Sequence, residues 1–116
     1  MIDYIREQLG DEELLAQLAE EAIELAHAAL KLRRTYILTN PTPVRTVDAI
    51  DNLVEEIADV SLVLDVLNLD PLTEMEIDII KAKKMERWAY RLKNRPQSEG
   101  IFFPESDPDR GKEAMK

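Results

Sequence analysis

Two stretches of this chain carry acidic residues at a spacing that favours metal chemistry. In LAEEAIELAHAALK (18–31), Glu20, Glu21 and Glu24 fall within one helical turn, with no Lys or Arg within four residues of them. In EEIADV (55–60), Glu56 and Asp59 stand three apart. Residues three apart share a helix face. Further along the face of Glu56 and Asp59 come Val63 and Val66, so these acids sit on a surface that is otherwise apolar and faces protein. Should the two helices pack antiparallel, four carboxylates (Glu21, Glu24, Glu56 and Asp59) converge. Converged anions raise one another's pKa values and resist desolvation. A divalent cation removes the conflict, and hard oxygen donors without Cys or His select Mg²⁺, or Mn²⁺ in its place, over zinc. The competing reading is a solvated acidic face on a non-catalytic helical dimer or interaction module. The ELAH at 24–27 is a Glu-x-x-His motif, but the chain has one histidine. Di-iron carboxylate bundles need two such motifs, and His27 falls opposite the apolar stripe of its helix, so it reads as a surface residue.

The elements that position these acids are helices. Ala, Leu, Glu and Lys dominate and there are three glycines, so local propensity favours helix nearly throughout. A short N-terminal helix over about 2–9 ends at Gly10. Asp11 is placed to cap a long second helix reaching about Tyr36, with Lys31, Arg33 and Arg34 suited to its C-terminal dipole. TNPTPVRT (39–46) is a loop, because its prolines and the residues before them disfavour helix. Thr46 is the expected cap of a third helix ending near Leu67. Thr73 with Glu76 forms an expected capping box opening a fourth helix to about Asn94. Residues 96–116 form an irregular polar tail whose IFF (101–103) is its apolar element.

The fold class is therefore all-α: a bundle of three long helices plus a short N-terminal one, with residues 1–95 forming the domain. Periodicity places Leu15, Leu18, Ala22, Leu25, Ala26 and Ala29 on the buried stripe of the second helix. It places Ile50, Leu53, Ile57, Val60, Leu64 and Leu67 on that of the third, and Ile77, Met85, Trp88, Ala89 and Leu92 on that of the fourth. The third helix is apolar almost all round in VSLVLDVL, with Ser61 as a small packing residue. So short a chain supplies too few helices to cover it, which implies a homodimer or higher oligomer.

Composition removes several function classes. Without cysteine, disulfides, zinc–thiolate sites and Cys nucleophiles are excluded. A net charge of -9 disfavours nucleic-acid polymers as partners, because that binding rests on Lys and Arg displacing counterions. No apolar run approaches the roughly 20 residues of a membrane span, and nothing at the N-terminus reads as a signal peptide. The expected setting is the cytoplasm, away from membranes.

EEAIE (Glu20, Glu21, Glu24) followed by EIAD (Glu56, Asp59) resembles the EExxE…ExxD signature of MazG-like nucleotide pyrophosphohydrolases. The similarity spans roughly residues 11–93 and is greatest to small phage and prophage-type members. The resemblance implies an all-α dimer or tetramer. It also implies Mg²⁺-dependent hydrolysis of a nucleoside or deoxynucleoside triphosphate at the α–β bond, giving a monophosphate and pyrophosphate. It makes Glu21, Glu24, Glu56 and Asp59 the metal ligands, with Glu20 a further ligand or the group that orients the attacking water. The connection between the motifs is longer than the family pattern and contains proline, and the polar tail is an addition. Phosphates beyond reach of the metal need cations, and the fourth helix offers Lys81, near the middle of its apolar arc, and Lys84 on its flank. Lys81 has three readings: phosphate contact, pairing with the acids, or a stem snorkelling to water.

Overall fold

Gly10 interrupts what is otherwise one helical run. In the computed structural model, which describes residues 1–37 and 43–96, the chain forms three α-helices and, among the described residues, no strand. α1 spans Ile2–Tyr36, α2 Thr46–Leu67 and α3 Pro71–Lys93. Within α1, Gly10 adopts φ 72°, ψ 170°, a combination essentially confined to glycine. It breaks the helix where the sequence predicts. The short segment before it is tied down by Arg6, whose Nε donates to the Val66 carbonyl at 2.8 Å.

The other helix ends are set locally. α2 stops at Leu67 because Asn68 turns left-handed (φ 52°, ψ 63°), its N–H reaching the Leu64 and Asp65 carbonyls; Asn tolerates that conformation better than most residues. Two expected caps are corrected. Arg45, not Thr46, occupies the N-cap of α2, and the sequence-adjacent polar pairing is Arg45 with Asp48 at 2.9 Å. α3 opens before the expected Thr73–Glu76 box. Asp70 accepts the Thr73 N–H at 2.8 Å and the Thr73 hydroxyl at 3.0 Å, and Pro71 takes the first helical position, where its missing N–H costs nothing. Residues 39–42 of the expected 39–46 loop, and the tail beyond Pro96, lie outside the described residues.

The chain divides into two units, Met1–Glu76 and a second beginning at Ile77. In the first, α1 and α2 pack as an antiparallel pair, with Ile5, Leu9 and Leu14 of α1 and Leu62, Val63 and Val66 of α2 lining one hollow between them. Buried in this unit are Leu14, Ala28, Ala49, Val63 and Val66. Leu14, Glu21 and Ala28 on α1 are spaced by seven residues, as are Ala49, Glu56 and Val63 on α2. Seven residues are close to two turns, so the seam is layered: Leu and Val at one end, acids in the middle, alanines at the other.

This seam is not the expected stripe. Leu15, Ala22 and Ala29, like Ile50, Ile57 and Leu64, each follow a seam residue by one position and are exposed. One position is about 100° around the axis, and in an antiparallel pair that rotation carries both stripes to the same side of the hairpin. Leu18, Leu25, Leu53, Val60 and Leu67 lie between seam and face and are half-buried. The apolar stripes therefore form one continuous outer face instead of the contact between α1 and α2. Ser61 is exposed on α2 and not in the seam. In the second unit α3 buries no residue: Trp88, expected in a core, is 64% exposed, and Ile77, Met85, Ala89 and Leu92 are exposed too.

Candidate metal centre

The middle layer of the seam gathers three of the predicted acids. Glu21, Glu24 and Glu56 each bring a carboxylate oxygen within 4.8 Å of the others. Glu21 and Glu56 stand at seam positions, so their side chains are half-buried; Glu24, three residues on from Glu21, leans in from the polar flank and is exposed. Oε2 of Glu21 and Oε2 of Glu56 are both buried and, among the described residues, have no hydrogen-bond partner. A buried charged oxygen without a partner is costly, and here two of them share one site. The arrangement fits a cation: hard, negatively charged oxygens, unsatisfied, on a rigid pair of helices.

The electrostatics agree. Burial pushes the Glu56 carboxyl above its ordinary range, and the charges of Glu24, Asp59 and Glu21 push it further. Asp59, half-buried one turn beyond Glu56, belongs to this field but lies outside the three-oxygen cluster. No ion pair joins any of these acids to Lys or Arg among the described residues.

Glu20 is exposed, one position before Glu21 and turned toward the polar flank. His27 is exposed on that flank as well. Lys81 and Lys84 belong to the second unit and are exposed on α3, so Lys81 does not sit in a buried arc.

One residue of this site escaped the sequence reading. Gln17 Nε2 donates to Glu21 Oε1 at 2.8 Å, holding the carboxylate whose other oxygen is buried without a partner. The signal was available, since a Gln four residues before an acid is a favourable helical pair. Beyond Gln17 opens a pocket of about 220 Å³, bounded by Ile5, Leu9 and Leu14 on α1, Leu62, Val63 and Val66 on α2, and Gln17, Glu21 and Asp59 at its polar end.

No helix among the described residues is long and apolar enough to cross a membrane. Comparison of the chain with protein-family models, with curated proteins and with solved structures finds no match in any of the three.

Proposed function

We propose that this protein is a Mg²⁺-dependent nucleoside triphosphate pyrophosphohydrolase of the MazG-like kind, acting on the cytoplasmic nucleotide pool as a homodimer or homotetramer. The observation that supports this reading most is the pair of partnerless buried oxygens on Glu21 and Glu56, three residues from Glu24 and Asp59 respectively in the EExxE…ExxD pattern.

In this reading Glu21, Glu24, Glu56 and Asp59 hold the metal, with Mn²⁺ able to replace Mg²⁺. Bound Mg²⁺ supplies positive charge that polarises water and neutralises the phosphate oxygens as the leaving group departs. The chain's own residues supply the rest. Gln17 orients Glu21, and the helix pair keeps the carboxylates from swinging out to bulk water. Glu20, on the solvent flank beside Glu21, accepts a hydrogen bond from the attacking water and orients it. Water adds to phosphorus, the α–β bridging P–O bond breaks, and the products are nucleoside monophosphate and pyrophosphate. The exposed amines of Lys81 and Lys84 are candidates for phosphate contact. The outer face of Ile50, Ile57 and Leu64 is the surface on which a second copy packs, on the side of the hairpin away from Glu24 and Glu20.

The test is incubation with a panel of NTPs and dNTPs plus Mg²⁺, with pyrophosphate and orthophosphate assayed separately. Pyrophosphate with the monophosphate is the expected product; orthophosphate with the diphosphate, or no turnover of any member, defeats the reading. Glu56→Gln should lower turnover by at least about tenfold, since even groups that merely support metal ligands are worth 10–100-fold.

A further inference from the structure

The overall charge of -9 conceals a segregation. Residues 77–95 hold seven of the 15 Lys and Arg but two of the 24 acids, leaving eight cations against 22 acids in the rest of the chain. Most of this basic stretch is α3, which buries no residue. At about 100° per residue, Ile77, Met85, Trp88 and Leu92 fall within about 80° of one another around its axis. Lys83, Lys84, Arg87 and Arg91 fill the adjoining arc of about 100°, interrupted by Ile80. Asp78 and Glu86 lie outside both arcs. Every one of these side chains is exposed, and Lys84, Arg87 and Arg91 line a surface hollow of about 290 Å³ together with Trp88.

We propose that α3 is an interfacial helix that docks the protein on an anionic lipid surface. The inference goes beyond the pyrophosphohydrolase reading and does not depend on it. Helices in proteins gain most of their stability by burying an apolar face, so this face calls for a cover. No described helix is long and apolar enough to cross a membrane, and a helix lying in the headgroup region does not need to be. Such helices carry Lys and Arg on one face and Trp or Leu on the other, which is the division seen on α3. Charge complementarity matches the Lys83, Lys84, Arg87 and Arg91 arc to headgroup phosphates, while Trp88 and Leu92 enter the acyl boundary. Lys81 decides against a second copy as the cover. It falls between Trp88 and Leu92, where a protein interface would bury its ammonium, whereas at a lipid surface its stem lies along the apolar face and its charge reaches the headgroups. A nucleic acid would satisfy the cations and leave Met85 and Leu92 in water. The acids concentrated elsewhere in the chain are repelled by an anionic surface, so contact is confined to this helix.

The test is co-sedimentation of the full chain with vesicles of phosphatidylcholine alone or mixed equally with phosphatidylglycerol. Trp88, the chain's one tryptophan and 64% exposed, reports on the contact by its fluorescence. The expected result is binding to the mixed vesicles and not to phosphatidylcholine alone, with Trp88 emission moving to shorter wavelength and binding weakening as salt is raised. A Lys or Arg near an anionic surface is worth about fivefold in affinity, so Arg87→Gln combined with Arg91→Gln should weaken binding about 25-fold. Leu92→Gln should weaken it without changing its salt dependence. Because α3 buries nothing, these variants should keep the wild-type circular dichroism spectrum. No binding to either vesicle, or equal binding to both, overturns the proposal. So does binding to single-stranded DNA as tight as to vesicles with Trp88 emission unmoved, which makes the partner a nucleic acid. Trp88 emission that shifts with protein concentration in the absence of vesicles overturns it as well, in favour of a second copy.

Discussion

Adding Mg²⁺ to the metal-free protein should raise its melting temperature, and replacing Glu56 by Gln should remove that response. Glu21, Glu24 and Glu56 already hold an oxygen each within 4.8 Å of the others, so binding requires side-chain adjustment and no movement of helices. A cation that binds only the folded state stabilises it by RT ln(1 + [L]/Kd), which is about 1.4 kcal/mol at ten times Kd and about 2.7 kcal/mol at a hundred times. For a unit the size of Met1–Glu76, each kcal/mol moves the midpoint by about 4–8 °C. Ten millimolar Mg²⁺ acting on a site of 0.1–1 mM affinity therefore gives a shift of about 6–20 °C. The measurement is thermal unfolding by circular dichroism with ionic strength held constant, because a chain of charge -9 gains something from screening alone. Glu56→Gln should begin from a higher midpoint than wild type without metal, since it removes a buried oxygen that lacks a partner and relieves its neighbours. The two curves then cross as Mg²⁺ is added. An equal response in wild type and variant, or none in wild type, refutes the cradle.

The same carboxyl sets a pH dependence. Because the Glu56 pKa is raised in the folded state, the native protein holds this proton more tightly than the unfolded chain. Its contribution is fully present below about pH 4.5, the ordinary carboxyl value, and is lost as pH rises through the raised value. Wild type without metal should thus lose stability relative to Glu56→Gln across that interval; parallel pH profiles would contradict the assignment. Gly10→Ala should cost about 1–3 kcal/mol through the backbone alone, since an added Cβ meets nothing within 4 Å, and an unchanged denaturant midpoint would show that the break does not need glycine. Ile57→Lys puts a charge on the outer apolar face, where Ile57 is 48% exposed. Light scattering should show wild type as a dimer or tetramer and the variant dissociated; a monomeric wild type removes the proposed role of that face.

Features governed by neighbouring residues were legible in the sequence. The break at Gly10 and the stop at Leu67 depend on one residue's backbone freedom, and both fall where they were read. The acids were legible as well, because the face of Glu56 and Asp59 continues into Val63 and Val66, the latter two now seen buried in the seam. What periodicity misplaced is the seam itself. It ranks faces by total hydrophobicity, and on α1 and α2 the most hydrophobic face is the outer one. The contact between the helices runs one position away, through Glu21, Ala28, Ala49 and Glu56, where small and acidic residues lower the score. The caps differ too: Thr73 is the expected cap, whereas Pro71, which favours the first helical position, starts the helix earlier and leaves Asp70 to accept from Thr73. For Trp88 a lone aromatic on an apolar arc argued for burial, whereas α3 buries nothing.

That misplacement says something about what the seam is for. A helix pair selected only to hold together would put its most apolar residues in contact, and both helices have a suitable stripe one position away. Here Leu14 and Val63 close one end of the seam, and Ala28 and Ala49, each 1% exposed, lie at the other, where small side chains let backbones approach. Between them Glu21 and Glu56 are held where neither can turn wholly into water, and Gln17 fixes one of them further. Like charges sit in the middle of the seam, at a cost in stability that no ion pair among the described residues offsets and that leaves Glu21 Oε2 and Glu56 Oε2 without a hydrogen bond. Strain of this kind is expected at sites that bind, where a rigid support holds ligands in place before the ligand arrives. The displaced apolar stripe then has its own use. Because the acids occupy the seam, the hydrophobic face remains outside, and in the proposed homodimer or homotetramer a second copy covers it and supplies burial that the single chain lacks.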